Sequence, residues 1–122
     1  MKVLIKIEGG PTFTAELNDS MTAQKIYAAL PMHAEGSTWG EEIYFSTPVY
    51  ADLENPREVL EEGELAYWPD MQAFCIFYGP TPASRGEEIR AAGPVNVVGR
   101  ITDDISPLKE VRSPVRVTLE KK

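Results

Sequence analysis

The stretch from Gly63 to Pro82 constrains this chain more than any other. Two apolar, aromatic-rich runs, Leu65–Trp68 and Ala73–Tyr78, flank a Pro69-Asp70 break. β-Branched and aromatic side chains suit a pleated, half-buried surface, and proline cannot donate to a ladder, so the stretch predicts strand, turn, strand. Alternation puts Phe74, Ile76 and Tyr78 on one face of the second run and Ala73, Cys75 and Phe77 on the other. Both faces are apolar, and each therefore needs a cover. The hairpin should be central, with a barrel interior on one side and a helix or pocket on the other.

The flanking chain supplies matching pieces. Val3, Ile5 and Ile7 alternate with polar residues, Gly9-Gly10-Pro11 turns the chain, and Phe13, Ala15 and Leu17 alternate again, which predicts an opening hairpin. Ser20 is a good N-cap. Ala23, Ile26, Tyr27 and Leu30 then share one helical face until Pro31 stops the helix. Met32–Glu41 reads as a polar connection, and Glu42–Thr47 as a third strand with Ile43 and Phe45 opposed to Glu42, Tyr44 and Ser46. Pro48–Glu62 reads as acidic and irregular, with one helical turn opened by Asn55-Pro56. Gly79–Pro94 reads as a long functional loop or lid.

Val95–Ile101 reads as a strand with Val95, Val97 and Ile101 on one face, and Gly99 marks a bulge or a close backbone approach. Ser106-Pro107 caps a second short helix, and Val115, Val117 and Leu119 alternate in a last strand. About eight short strands with two short helices predict a mainly β fold: a closed antiparallel β-barrel, with residues 1–122 as one domain.

Charge and cysteine usage narrow the partners. Nineteen acids against twelve bases leave a net charge of −7, which argues against nucleic acid and anionic membranes, because phosphate binding rests on clustered Lys and Arg. The single cysteine, Cys75, has no internal disulfide partner, which favours a reducing, cytoplasmic setting. No apolar run approaches the length of a membrane span. His33 is the only histidine and no glycine pattern matches a phosphate loop, so neither a metal nor another cofactor is expected.

Three ordered segments carry a resemblance: Trp39-Gly40-Glu41-Glu42-Ile43-Tyr44-Phe45, Gly63-Glu64-Leu65-Ala66-Tyr67-Trp68-Pro69, and Ala73-Phe74-Cys75-Ile76-Phe77-Tyr78-Gly79-Pro80-Thr81-Pro82. Gly93 to Ile101 fits as well. Together they resemble the small prokaryotic cyclophilin-like family, whose function is uncharacterised, and they imply a cyclophilin fold over essentially the whole chain. The prolyl-isomerase members carry an arginine in a Phe-His-Arg strand, where this chain reads Ile43-Tyr44-Phe45. Their hairpin glutamine is also missing, unless Gln72 replaces it in a shifted register. Without a group that stabilises the twisted amide over the planar one, such a groove binds an extended peptide or small molecule without isomerising it.

The candidate ligand-binding residues are Glu42, Tyr44, Trp68, Phe77 and Arg85. Tyr44, Trp68 and Phe77 would line an aromatic groove beside the hairpin, with packing in the barrel core as the competing reading. Tyr44 is expected to face the groove and Phe45 the interior. Glu41 and Glu42 have a general acid/base reading, outweighed by that of a solvated strand entrance. Arg85 would swing a guanidinium over the groove, against the plainer reading of a surface arginine balancing Glu87 and Glu88. Cys75 reads as packing rather than nucleophile, and Ser84 as a loop serine. The leading expectation is a binding module for a small molecule or short peptide. One alternative is an atypical prolyl isomerase using Arg85 or Arg90, which leaves enzymatic activity open. Another is a regulatory module whose acidic 52–64 segment docks a basic protein.

Overall fold

The two ends of the chain meet through their alternating apolar residues. In the computed structural model, which describes residues 1–122, β1 (Lys2–Ile7) pairs with β2 (Thr12–Leu17), Ile5 opposite Phe13. It pairs on its other side with β9 (Val115–Lys121), Ile5 opposite Leu119. Helix α1 (Met21–Ala28) follows β2, and the Ser20 hydroxyl accepts from the Ala23 N–H, the N-cap expected of that serine. Ala23 and Ile26 are its buried apolar side chains.

The central stretch is β6 (Glu64–Trp68), a 3₁₀ turn at Pro69–Met71, and β7 (Ala73–Phe77). Every residue of β7 is buried. Phe74, Ile76 and Tyr78 join a core of Val3, Ile5, Phe13, Leu65, Tyr67 and their neighbours, while Ala73, Cys75 and Phe77 join a second, smaller cluster. The two-faced pattern in the sequence is thus matched by two separate covers. Phe74 stacks on Phe45 of β4 (Glu42–Ser46), ring centres 5.3 Å apart, where the two residues are direct cross-strand partners.

With β3 (Met32–Thr38), β5 (Arg57–Leu60) and β8 (Ile89–Ile101), the strands run in the order β2-β1-β9-β3-β4-β7-β6-β8-β5. A pairing of β8 back onto β2 closes the ring. Closure needs a close approach at its seam: a Cβ on Gly99 would lie 2.3 Å from the Glu16 carbonyl oxygen. The sheet is mainly antiparallel β and closes into a barrel, with α1 packed near β8.

Four expectations are corrected here. Met32–Thr38 is a strand, not a connection: its own residues are poor strand formers, but β9 offers a full ladder with Met32 opposite Leu119 and Gly36 opposite Val115. Asn55-Pro56 opens no helical turn; Asn55 has φ 45°, and Arg57–Leu60 lies at the sheet's edge as β5. The 79–94 segment is a shorter loop, because β8 already begins at Ile89 and its first half pairs with β5. Ser106–Glu110 is a 3₁₀ turn whose Ser106 hydroxyl donates to Asp104 instead of capping.

In β8 the expected face also changes. Leu65 opposes Gly99 while Ala66 opposes Val97, so the ladder absorbs an extra residue at Val98. Val95 and Val97 therefore pack in the outer cluster, whereas Val98 and Ile101 enter the barrel interior. Next to this bulge the buried Asn96 amide donates to Thr22 Oγ1 (3.1 Å) and the Asp52 carbonyl (2.8 Å), and its carbonyl accepts the Glu54 N–H. The Glu54 carboxylate in turn accepts from the Met21 and Thr22 N–H groups and the Thr22 hydroxyl, which ties the 52–54 segment to the start of α1 and holds that carboxyl below its usual range.

Candidate functional site

The outer face of β4 carries Glu42 and Tyr44, opposite Phe77 and Cys75 of β7. Strand β8 covers much of this face with Ile89, Ala91 and Val95, and Leu60 of β5 joins them. Where the cover ends, a groove of about 250 Å³ remains, lined by Trp39, Glu42, Tyr44, Trp68, Met71 and Ala92. Tyr44 and Trp68 are half-buried, while Phe45 faces the barrel interior at 2% exposure.

The groove's frame is set by backbone. The Trp39 N–H donates to the Glu42 carbonyl, the Tyr78 N–H to the Glu41 carbonyl, and the Glu41 N–H to the Pro80 carbonyl. Gly79 is required beneath this turn, because a Cβ there would lie 2.2 Å from Glu41 Oε1. The 79–88 loop is fastened rather than free. Ser84 Oγ accepts from the Thr81 and Arg90 N–H groups, and the Thr81 hydroxyl donates to the Arg90 carbonyl.

Glu42 is the unusual member. It is 5% exposed, so the solvated strand entrance is corrected: Glu42 lies opposite Phe77 of β7 and lines the groove. Burial pushes it up from 4.5 to about 7, and the neighbouring Cys75 thiol, a weak donor, opposes the rise. The thiol also makes a long contact to the Ala73 carbonyl at 3.9 Å, and it offers the carboxyl only a weak donor. Burial, and then the Glu42 charge, push the Cys75 thiol well above the ordinary range, and the thiol is a packed side chain rather than a nucleophile. Trp68 Nε1 is buried without a hydrogen-bond partner, beside Gly93.

Of the candidate residues, the fold brings Glu42, Tyr44 and Trp68 together. Phe77 does not line the groove; it is fully buried beneath it, opposite Glu42. Arg85 is exposed on the loop, its N–H donating to Glu88 Oε1, and stays outside the lining. Arg90 is held by Glu88 at 2.7 Å. Gln72 does not stand in for the isomerase glutamine. It sits in a left-handed turn at φ 48° and donates to the Val49 carbonyl. Trp39, Met71 and Ala92 escaped the sequence reading, although a lone tryptophan in a polar stretch directly before Glu41-Glu42 was the available signal for the first.

A larger hollow of about 570 Å³ lies over β1, β3 and β9, lined by Lys6, Glu8, His33, Glu35 and Arg116 among others. Its charges are exposed and answer one another, Lys6 to Glu120 at 2.7 Å and Arg116 to Glu8 at 3.7 Å. Such pairs contribute little and point at no ligand, so the smaller aromatic groove is the better candidate.

The comparisons with known proteins agree with the fold. No curated protein matches the chain. A hypothetical protein from Archaeoglobus fulgidus, solved in solution, is 37% identical over all of this chain and 95% of its own, with a TM-score of 0.85. The family model described as cyclophilin-like matches residues 1–120. On the closed sheet, the shared sequence and that match, the chain belongs to the cyclophilin-like family.

Proposed function

We propose that this protein is a binding module that holds a small molecule or a short extended peptide in the groove between Trp39, Tyr44 and Trp68. One observation carries the reading: a carboxyl only 5% exposed, without a strong donor, in an otherwise apolar, aromatic groove. Concave apolar sites with one or two convergent polar groups are where ligands bind. A cytoplasmic setting goes with this reading, supported by the buried free thiol. No helix of the chain is long and apolar enough to cross a membrane.

Isomerisation is the weaker reading. It needs a group that polarises the prolyl amide, and the groove is lined by no cation, with Arg85 and Arg90 both held outside it. Docking of a basic protein on the acidic 52–64 segment is weaker too, because its acids serve the fold. Glu54 binds the start of α1, Glu61 pairs with Arg100, and Glu64 pairs with Arg57 at 2.6 Å.

Trp39 and Trp68 are the only tryptophans, and both line the groove, so intrinsic fluorescence reports on it directly. Titration with a metabolite library and proline-containing peptides should give a saturable change for at least one class. A protease-coupled assay should show no acceleration of prolyl isomerisation. A library without a single saturable response overturns the proposal.

A further inference from the structure

We infer that the ligand this groove takes is a small organic cation: an alkylated ammonium group against the rings of Trp39, Tyr44 and Trp68, with the Glu42 carboxylate as counter-ion. This rests on the groove being a binding site, as proposed above. Three of the six lining residues are aromatic and one is an acid. The faces of Trp and Tyr rings carry negative potential and attract cations, most strongly those that enter a desolvated site. An alkylated ammonium holds its water weakly and offers few hydrogen bonds, so it matches walls that supply rings rather than acceptors. Glu42 adds a full charge where solvent screens it poorly.

Other ligand charges fit less well. An anion meets Glu42 directly, and a neutral ligand offers the carboxylate a hydrogen bond but leaves its charge uncompensated. No basic residue lines the groove, and Arg57, Arg90 and Arg100 are engaged by Glu64, Glu88 and Glu61. Met71, half-exposed at the rim, adds an adaptable apolar wall, and the net charge of −7 draws cations toward the molecule.

Protonation provides a second handle. The titratable and charged groups around Glu42 are Cys75 on β7, Tyr78 just beyond it, Tyr44 on its own strand and Glu41 in the adjoining turn, with Arg112 acting on the same Tyr78; β6 and β8 contribute Trp68 and Ala92. Cys75 and Tyr78 are both pushed up by burial, which leaves Glu42, at about 7, to change charge near neutrality. A cation that needs the carboxylate should therefore bind roughly tenfold more tightly at pH 8 than at pH 6.

The test compares choline with its uncharged carbon isostere, 3,3-dimethyl-1-butanol, by tryptophan fluorescence in the wild type and in Glu42→Gln. Choline should saturate, bind at least tenfold more tightly than the isostere, and gain the expected pH dependence; in the variant the pH dependence should vanish and the preference for choline should fall to the part the rings supply. Equal binding of the two probes overturns the cation assignment and leaves the groove as a site for neutral ligands. Failure of choline while another library member binds does the same. If nothing binds at all, the proposed function falls with it. Should Glu42→Gln fail to fold, the contrast between probes and across pH in the wild type still decides.

Discussion

Replacing Glu42 by glutamine should stabilise this protein above pH 4.5, and in full above about pH 7. The side chain is 5% exposed, and burial raises its carboxyl from 4.5 to about 7. A raised acid binds its proton more tightly in the folded chain than in the unfolded one, so stability is greatest below pH 4.5 and falls as pH rises through about 7. At about 1.4 kcal/mol per pH unit, the ionised carboxylate costs the fold about 3 kcal/mol at pH 8 and above. Glutamine keeps the shape and removes that ionisation. Urea unfolding of both proteins at pH 4 and pH 8.5 should show curves that nearly coincide at pH 4. At pH 8.5 the variant should be more stable by about 2–3 kcal/mol. A difference that does not grow with pH would mean that Glu42 titrates like a solvated acid, and the enclosed carboxyl would be wrong.

Four further substitutions or probes test the frame around the groove. Phe74→Ala empties a fully buried site and removes the stack on Phe45, and should cost about 3–5 kcal/mol in a denaturant melt; less than about 1 kcal/mol would mean an open strand. Phe45→Ala should destabilise comparably, whereas Tyr44→Ala should leave the melt little changed and weaken whatever quenches the groove tryptophans. Cys75, buried and with its thiol pushed up, should resist a thiol-modifying reagent in native buffer and react in full on denaturation; rapid native labelling would show an open face on β7.

Much of this architecture could be read from residue order alone, and the exceptions share a cause. The 65–78 hairpin, the opening hairpin and the Ser20 cap are local signals, each carried by alternation or by a capping hydroxyl. Strands β3 and β5 are not local: Met-His-Ala-Glu-Gly-Ser-Thr and Arg-Glu-Val-Leu become strands because β9 and β8 offer them ladders. The extra residue at Val98 turned one predicted face into two, something no alternation count detects. At the groove, the opposed faces of Tyr44 and Phe45 followed from the pleat. The burial of Glu42 did not, because it depends on β7 and on the 39–42 turn, which are brought alongside only when the sheet closes. Arg85 reads as poised over the hairpin on a long 79–94 loop; β8 starts at Ile89, and Arg85 lies outside the groove lining with its N–H donating to Glu88.

The most direct test of the central claim uses the two indole N–H signals in a ¹H–¹⁵N correlation spectrum. With tryptophan only at positions 39 and 68, each signal reports one wall of the groove. Addition of a ligand found by the fluorescence screen should shift both indole signals, together with the backbone amides of Glu42, Tyr44 and Ala92. The hollow around Lys6, His33 and Arg116 should stay unmoved. Shifts confined to that hollow, with both indoles unchanged at saturation, would contradict the placement of the site.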